Sequence, residues 1–158
     1  MRLLRLVVLL ALGLATASPG VAAPVYYVMR HLQKGEGQDP PLSPQGQADA
    51  VLLSRWFKSD PPKAIYVSTT RRAHETAAPL AARLRLSVKD YDPRDTPALI
   101  ARVRQEKGTV LIVGHSNTVP DIVEALGGVR PKALLDSDYG GIWRVGPGGK
   151  TKMETLVP

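Results

Sequence analysis

The stretch TVLIVGHSNTVPDIVEALGG, residues 109–128, decides the fold. Thr109–Val113 is the most apolar of the expected strands and reads as central, buried on both faces. It runs into Gly114, His115, Ser116 and Asn117. A helix follows, with Thr118 as its predicted cap, Asp121 as a capping-box partner and Gly127-Gly128 as its end. Two earlier segments share this grammar. Val25–Met29 runs into Arg30-His31, and Ala64–Val67 runs into Ser68-Thr69-Thr70-Arg71-Arg72. Strands that alternate with helices build an α/β sheet, and ligands of open α/β sheets bind beyond the carboxyl ends of the strands. Three such strands deliver two imidazoles and at least two guanidiniums to one edge. That set is suited to gripping and attacking a phosphoryl group.

The rest of the chain fits the same alternation. A polar loop over 33–41 separates the first strand from a helix capped by Ser43, with Pro44 at its first position. Ala48, Val51, Leu52 and Phe57 are its expected apolar stripe, and Pro61-Pro62 closes the unit. A second helix is expected from Thr70 to Leu84, with Ala73, Ala77, Leu80, Ala81 and Leu84 facing inward. Pro79 predicts a kink or break near Thr76. Leu86–Tyr91 reads as a third, edge strand. Thr96-Pro97 starts a helix that runs to about Lys107, closed by Gly108. Gly141–Val145 and Thr151–Val157 flank Pro147-Gly148-Gly149 as a β-hairpin. The expected fold class is a three-layer α/β sandwich, its central sheet mostly parallel, with helices on both faces.

The 158 residues fit one domain, and 44% hydrophobic content is enough for a packed core. Residues 1–23 read as a signal peptide: Arg2 and Arg5 form a positive start, Leu6–Leu14 an apolar stretch too short for a membrane span, and Val21-Ala22-Ala23 a small-residue cleavage signal. The expected organisation is a signal peptide over 1–23 and a catalytic domain over 24–158. The expected location is periplasmic or secreted, with no stable membrane insertion after cleavage. The chain has no cysteine, which removes disulfides, thiol nucleophiles and thiolate metal sites. A net charge of +7 favours anionic ligands. The basic residues are dispersed and aromatics amount to 5%, so a nucleic-acid partner is not expected.

Of the three histidines, His31 is the candidate nucleophile, because a neutral imidazole nitrogen can attack phosphorus. Arg30 and Arg72 are candidates to clamp the transferred group, although Arg71 beside Arg72 leaves that register open. Gly114 lets the backbone at His115 approach a ligand closely, and Ser116 and Asn117 add donors for substrate. His74 falls within a helix and reads as structural.

These segments resemble the histidine phosphatase superfamily, the phosphoglycerate-mutase-like proteins. VMRH at 28–31 looks like its strand-Arg-His signature, STTRRAHETAAPLA at 68–81 is similar to its second arginine segment, and VGHSNTVPDIVEALGG at 113–128 to its second-histidine segment. The second match selects Arg72 over Arg71. The resemblance implies that His31 carries the phosphoryl group while Arg30, Arg72 and His115 complete the pocket, with no metal or organic cofactor. It implies a phosphatase that acts on a phosphorylated small molecule or a phosphoprotein, by attack of His31 and then hydrolysis by water. Leu32-Gln33 departs from the family's usual glycine- or alanine-glutamate. The loop at 89–95 lacks the glutamate that serves mutases as general acid, which leaves Asp92, with Asp95 behind it, as candidates. A phosphohistidine-protein phosphatase, an envelope-sugar phosphatase and a non-catalytic phosphate-binding relative are the alternatives.

Overall fold

The computed structural model describes residues 23–156. All of the expected signal peptide except Ala23 lies outside them. Six strands form one sheet: β1 (Tyr26–Arg30), β2 (Ala64–Ser68), β3 (Val88–Tyr91), β4 (Val110–Gly114), β5 (Gly141–Val145) and β6 (Thr151–Thr155), in the order β3-β2-β4-β1-β5-β6. The β3-β2, β2-β4 and β4-β1 pairs are parallel, whereas β5 and β6 join the β1 side antiparallel. The sheet is therefore mostly parallel, with the C-terminal hairpin as an antiparallel extension.

Side chains of a strand alternate between faces, and both faces here are covered. Tyr27, Met29, Ile65, Val67, Leu111 and Val113 point into a core shared with helices α1 (Pro44–Trp56) and α2 (Arg71–Leu84). Tyr26, Val28, Tyr66, Val110 and Ile112 point the other way, into a core shared with α3 (Thr96–Val103) and α4 (Val119–Ala125). Double coverage is why β1, β2 and β4 read as unbroken apolar runs.

Several local expectations need correction. The Ser43 hydroxyl accepts from the Gly46 amide as expected, but α1 buries Gly46, Ala50, Leu53 and Ser54, with Phe57 just beyond. Ala48, Val51 and Leu52 are exposed. Gly46 sets this rotation by letting the helix lie against the Gln33 carbonyl, where a Cβ would collide. Helix α2 continues unbroken past Pro79. Asp95, rather than Thr96, caps α3 by accepting from the Ala98 amide, and the helix ends at Val103 instead of near Lys107. Thr118 makes no side-chain cap to α4. Its hydroxyl serves the loop around His115.

Candidate active site

The β1–β4 pairing sets the site. Parallel register places Arg30 opposite Gly114, and the next amide, of His31, donates to the Gly114 carbonyl at 2.8 Å. Two motifs far apart in sequence thus leave the sheet side by side, and the His31 and His115 rings meet edge-on at 5.3 Å between centroids. Gly114 is required there: a Cβ would stand 2.8 Å from the Thr118 hydroxyl and 2.9 Å from the Tyr91 hydroxyl. The Thr118 hydroxyl accepts from the His115 amide at 2.9 Å and so pins the second histidine loop.

Buried His31 is held at both ring nitrogens. Its Nδ1 lies 2.8 Å from the Leu32 carbonyl, an acceptor, so Nδ1 carries the proton. The lone pair is then on Nε2, which accepts from Nε of Arg72 at 3.0 Å. Nη2 of Arg72 stands 3.5 Å from Nδ1 of His115. Burial pushes both imidazoles down to about 4; the Leu32 carbonyl opposes this at His31, and Arg72 and Arg30 reinforce it at both rings. Both rings are neutral at physiological pH.

Thr76 joins these parts from below. Its buried hydroxyl accepts from the Leu32 amide at 3.0 Å and donates to the Arg72 carbonyl at 2.8 Å. This fixes the first histidine loop against the first turn of α2. Arg71 points away, paired with Glu75 at 2.7 Å, so the arginine ambiguity resolves in favour of Arg72.

Arg30 is buried, and the loop after α4 takes up most of its guanidinium. Nη1 donates to the carbonyls of Leu135 at 2.8 Å, Asp136 at 3.1 Å and Asp138 at 3.2 Å, while Nη2 donates to the Tyr139 hydroxyl at 3.3 Å. The guanidinium also lies 4.2 Å from the centre of the Tyr139 ring. Its Nε is buried with no hydrogen-bond partner among the described residues. An unsatisfied buried donor is costly unless a ligand supplies an acceptor. The whole 134–140 segment escaped the sequence reading, since it has no hydrophobic period. Its Leu-Leu-Asp-Ser-Asp-Tyr composition carries no signal that it would wrap an arginine.

Arg30, His31, Arg72, His115, Ser116 and Asn117 all line one open cleft of about 430 Å³. Lys34, Thr70, Pro93, Arg94, Thr118 and Asp136 complete its wall. The two candidate acids are engaged elsewhere. Asp92 accepts from Arg94 through both oxygens, at 3.1 Å each, and these bonds hold its carboxyl below the usual carboxylate range. Asp95 caps α3. Asp136 is the one carboxylate among the lining residues, 3.8 Å from Nη2 of Arg30. Asp39 reaches Nη1 of Arg72 at 3.5 Å from the polar loop. His74 pairs with Asp90 at 2.9 Å on the surface, away from the cleft, in keeping with a structural role. Among the described residues no three His, Asp or Glu side chains converge as a metal site would require, and no helix is long and apolar enough to cross a membrane.

The architecture is that of the phosphoglycerate-mutase-like α/β proteins, and known structures agree. Protein histidine phosphatase SixA, in a complex with tungstate, superposes with a TM-score of 0.63 at 21% identity, covering 82% of this chain and 94% of its own. A mycobacterial glucosyl-3-phosphoglycerate phosphatase gives 0.66 at 16% identity, covering 84% and 98%. YhfR of Bacillus stearothermophilus gives 0.65 at 20% identity, covering 84% and 96%. At such identities the likeness is one of fold. The sequence itself matches the profile of the histidine phosphatase superfamily (branch 1) over residues 28–94, a span that includes Arg30, His31 and Arg72. Over residues 28–94 the chain is similar to the histidine phosphatase superfamily, and the solved structures share its fold. No curated protein matches it.

Proposed function

We propose that the protein hydrolyses phosphomonoesters or phosphoramidates through a phosphohistidine on His31. The observation that carries this reading is the state of that ring, which lines the cleft: neutral, with the proton committed to the Leu32 carbonyl on Nδ1 and the lone pair on Nε2, where Arg72 meets it. A neutral imidazole presented in this way is a nucleophile without further activation. In the first step Nε2 bonds to phosphorus while the bond to the leaving oxygen or nitrogen breaks; a leaving oxygen takes a proton from solvent, and a leaving imidazole already carries one on its other ring nitrogen. Arg72 and the Nε of Arg30 balance charge on the equatorial oxygens, and neutral His115 donates a hydrogen bond to one of them. In the second step water attacks phosphorus, the P–N bond breaks, and orthophosphate leaves with His31 neutral again. Arg72, which donates to Nε2, is placed to donate to the phosphoryl oxygens once that nitrogen bonds to phosphorus.

The engagement of Asp92 and Asp95 elsewhere favours phosphohistidine on a protein as the substrate. An ester oxygen leaves as a costly alkoxide unless an acid protonates it. A phosphoimidazole is protonated by solvent on its other ring nitrogen before the bond breaks, and the imidazole departs neutral. The open cleft suits a side chain presented on a protein surface. Export is proposed from residues 1–23 alone, and the mass of the protein recovered from the periplasm or medium tests it.

The deciding experiment is hydrolysis of p-nitrophenyl phosphate and of a phosphoramidate between about pH 4 and about pH 8, with EDTA present, by the wild type and His31→Ala. Turnover in EDTA that the substitution abolishes supports the reading, and a faster phosphoramidate reaction supports the protein substrate. A folded wild type that binds phosphate without turnover would identify a binding protein instead. Turnover that survives His31→Ala would refute the nucleophile.

A further inference from the structure

The sheet ends on two edges, β3 and β6, and they are finished differently. At the β3 edge the chain satisfies itself. Arg102 of α3 donates to the Asp90 carbonyl at 2.7 Å, Lys89 pairs with Glu106, and the Asp90 carboxylate pairs with His74. On the outer side of β6 no further strand is placed among the described residues. Such an edge presents a row of backbone donors and acceptors that another strand can take.

The pairing of β6 decides which of its groups point outward. Its register with β5 is antiparallel, with Arg144 opposite Lys152 and Trp143 opposite Met153. At the two ends of the ladder, Gly146 N–H donates to the Lys150 carbonyl and Leu156 N–H to the Gly140 carbonyl, both at 2.8 Å. Hydrogen-bonded pairs alternate along an antiparallel ladder. Lys152 and Glu154 therefore turn their backbone groups toward β5, whereas Thr151, Met153 and Thr155 turn theirs outward. No hydrogen bond reaches the outward backbone groups among the described residues.

The side chains make this edge complementary to itself. Lys152 and Glu154 share one face, 3.4 Å apart, and Lys152 lies across from Arg144, a like charge that a further carboxylate would offset. Met153 is on the other face, 56% exposed, across from Trp143. A second β6 running antiparallel about a two-fold axis at Met153 fits this pattern. Met153 meets its own copy as a hydrogen-bonded pair, and Thr151 meets Thr155 in the same way. Each Lys152 faces the Glu154 of the other copy as a closely spaced pair without backbone bonds. Shifting the copy by two residues, the next register that the outward groups allow, sets Lys152 against Lys152 or Glu154 against Glu154. Like charges directly opposite disfavour both.

We infer that the β6 edge is a docking surface for a second copy of this chain, which joins two sheets into one through Thr151–Thr155. The contact uses the same strand of each copy, so the assembly closes as a dimer. Its axis is perpendicular to the sheet, and the two clefts open at opposite ends, both free for substrate. Five residues from each copy make a small interface, so the dissociation constant is on the order of 10–100 µM.

Sedimentation equilibrium of the whole chain at low ionic strength, at loadings from about 5 µM to about 500 µM, tests this. The wild type should pass from monomer to dimer over that range. Lys152→Glu alone and Glu154→Lys alone should each weaken association at least about tenfold, because every charged pair across the axis becomes a like pair. Mixing these two variants should restore association, since each glutamate then faces a lysine. The double exchange, Lys152→Glu with Glu154→Lys, should restore it within one chain. Misfolding of a variant cannot produce that pattern of loss and rescue. The register has a separate readout. The chain has no cysteine, so Met153→Cys places a single thiol at the axis. Paired Cα atoms there lie about 5.5 Å apart, within disulfide reach. Mild oxidation should link Met153→Cys to its copy much faster than Val129→Cys, which is 72% exposed and outside the strand. A wild type that stays monomeric, single exchanges that associate as well as the wild type, a mixture that stays monomeric, or equal linking of the two thiols would each overturn the dimer.

Discussion

One guanidinium spans both histidines of the cleft: Arg72 donates through Nε to Nε2 of His31 at 3.0 Å while its Nη2 stands 3.5 Å from Nδ1 of His115. These contacts fix the nucleophile and set a donor beside the nitrogen that attacks phosphorus. A lysine offers a point charge without the planar fork that reaches two partners. We expect Arg72→Lys to lower kcat/KM by about 10²–10³-fold, the usual cost of losing a placed donor in a transition state. Arg71→Lys, on the neighbouring residue turned to Glu75, should change it little. Steady-state kinetics on the two variants checks the contrast.

The acid limb of the pH profile follows from the two rings held down to about 4. Neutral His31 is the attacking form, so kcat/KM, corrected for ionisation of the substrate, should fall only as pH drops toward about 4. It should not fall near 6.5, where a free histidine titrates. Stability runs the same way. The unfolded chain takes up protons near 6.5 that the folded chain refuses until about 4, so stability is full above about 6.5 and declines as pH falls through that window. Urea midpoints at about pH 7.5 and about pH 4.5 measure the decline, and a His31→Gln, His115→Gln double variant should flatten it.

Thr76 is a positioning residue. Thr76→Val keeps the volume but strands the buried Leu32 amide, at a cost of about 1–3 kcal/mol. Melting temperature and kcat should fall together, because the bond that is lost also places His31. Thr76→Ser keeps the hydroxyl and should recover most of kcat, a rescue that a purely steric role would not give.

Gly46→Ala reverses an ordinary expectation. In the middle of an exposed helix the change would stabilise by about 1 kcal/mol. Here the added Cβ meets the Gln33 carbonyl, so α1 must shift or the loop carrying Lys34 must give way. We expect a loss of about 1–3 kcal/mol, as in overpacked cores. Denaturant titration gives the sign directly.

Much of the architecture was legible because buried parallel strands advertise themselves. The apolar runs of β1, β2 and β4 and the residues that end them can be read without any knowledge of pairing. The rotation of α1 could not be read, because Val51 and Leu52 look like core while Gly46 owes its burial to a contact with a distant carbonyl. The capping pattern at Thr118 misled, because its hydroxyl has a competing partner, the His115 amide, that local sequence does not reveal. Asp92 and Asp95 looked available as acids only because their real partners, Arg94 and the Ala98 amide, depend on the turn geometry between β3 and α3. The carbonyls that receive Arg30 belong to an aperiodic loop whose place is set by the whole sheet.

The bond from the His31 amide to the Gly114 carbonyl also bears on how the chain acquires activity. It joins the first strand to the fourth, and such distant parallel pairings form late, because a long loop must close before any contact repays it. Helices and the local β2–α2–β3 unit can assemble without it, yet none of those fragments holds two facing imidazoles. In a refolding experiment, turnover should therefore return with the slowest phase, after the far-ultraviolet helical signal has recovered. During synthesis no ribosome-bound chain would be competent before β4 has emerged.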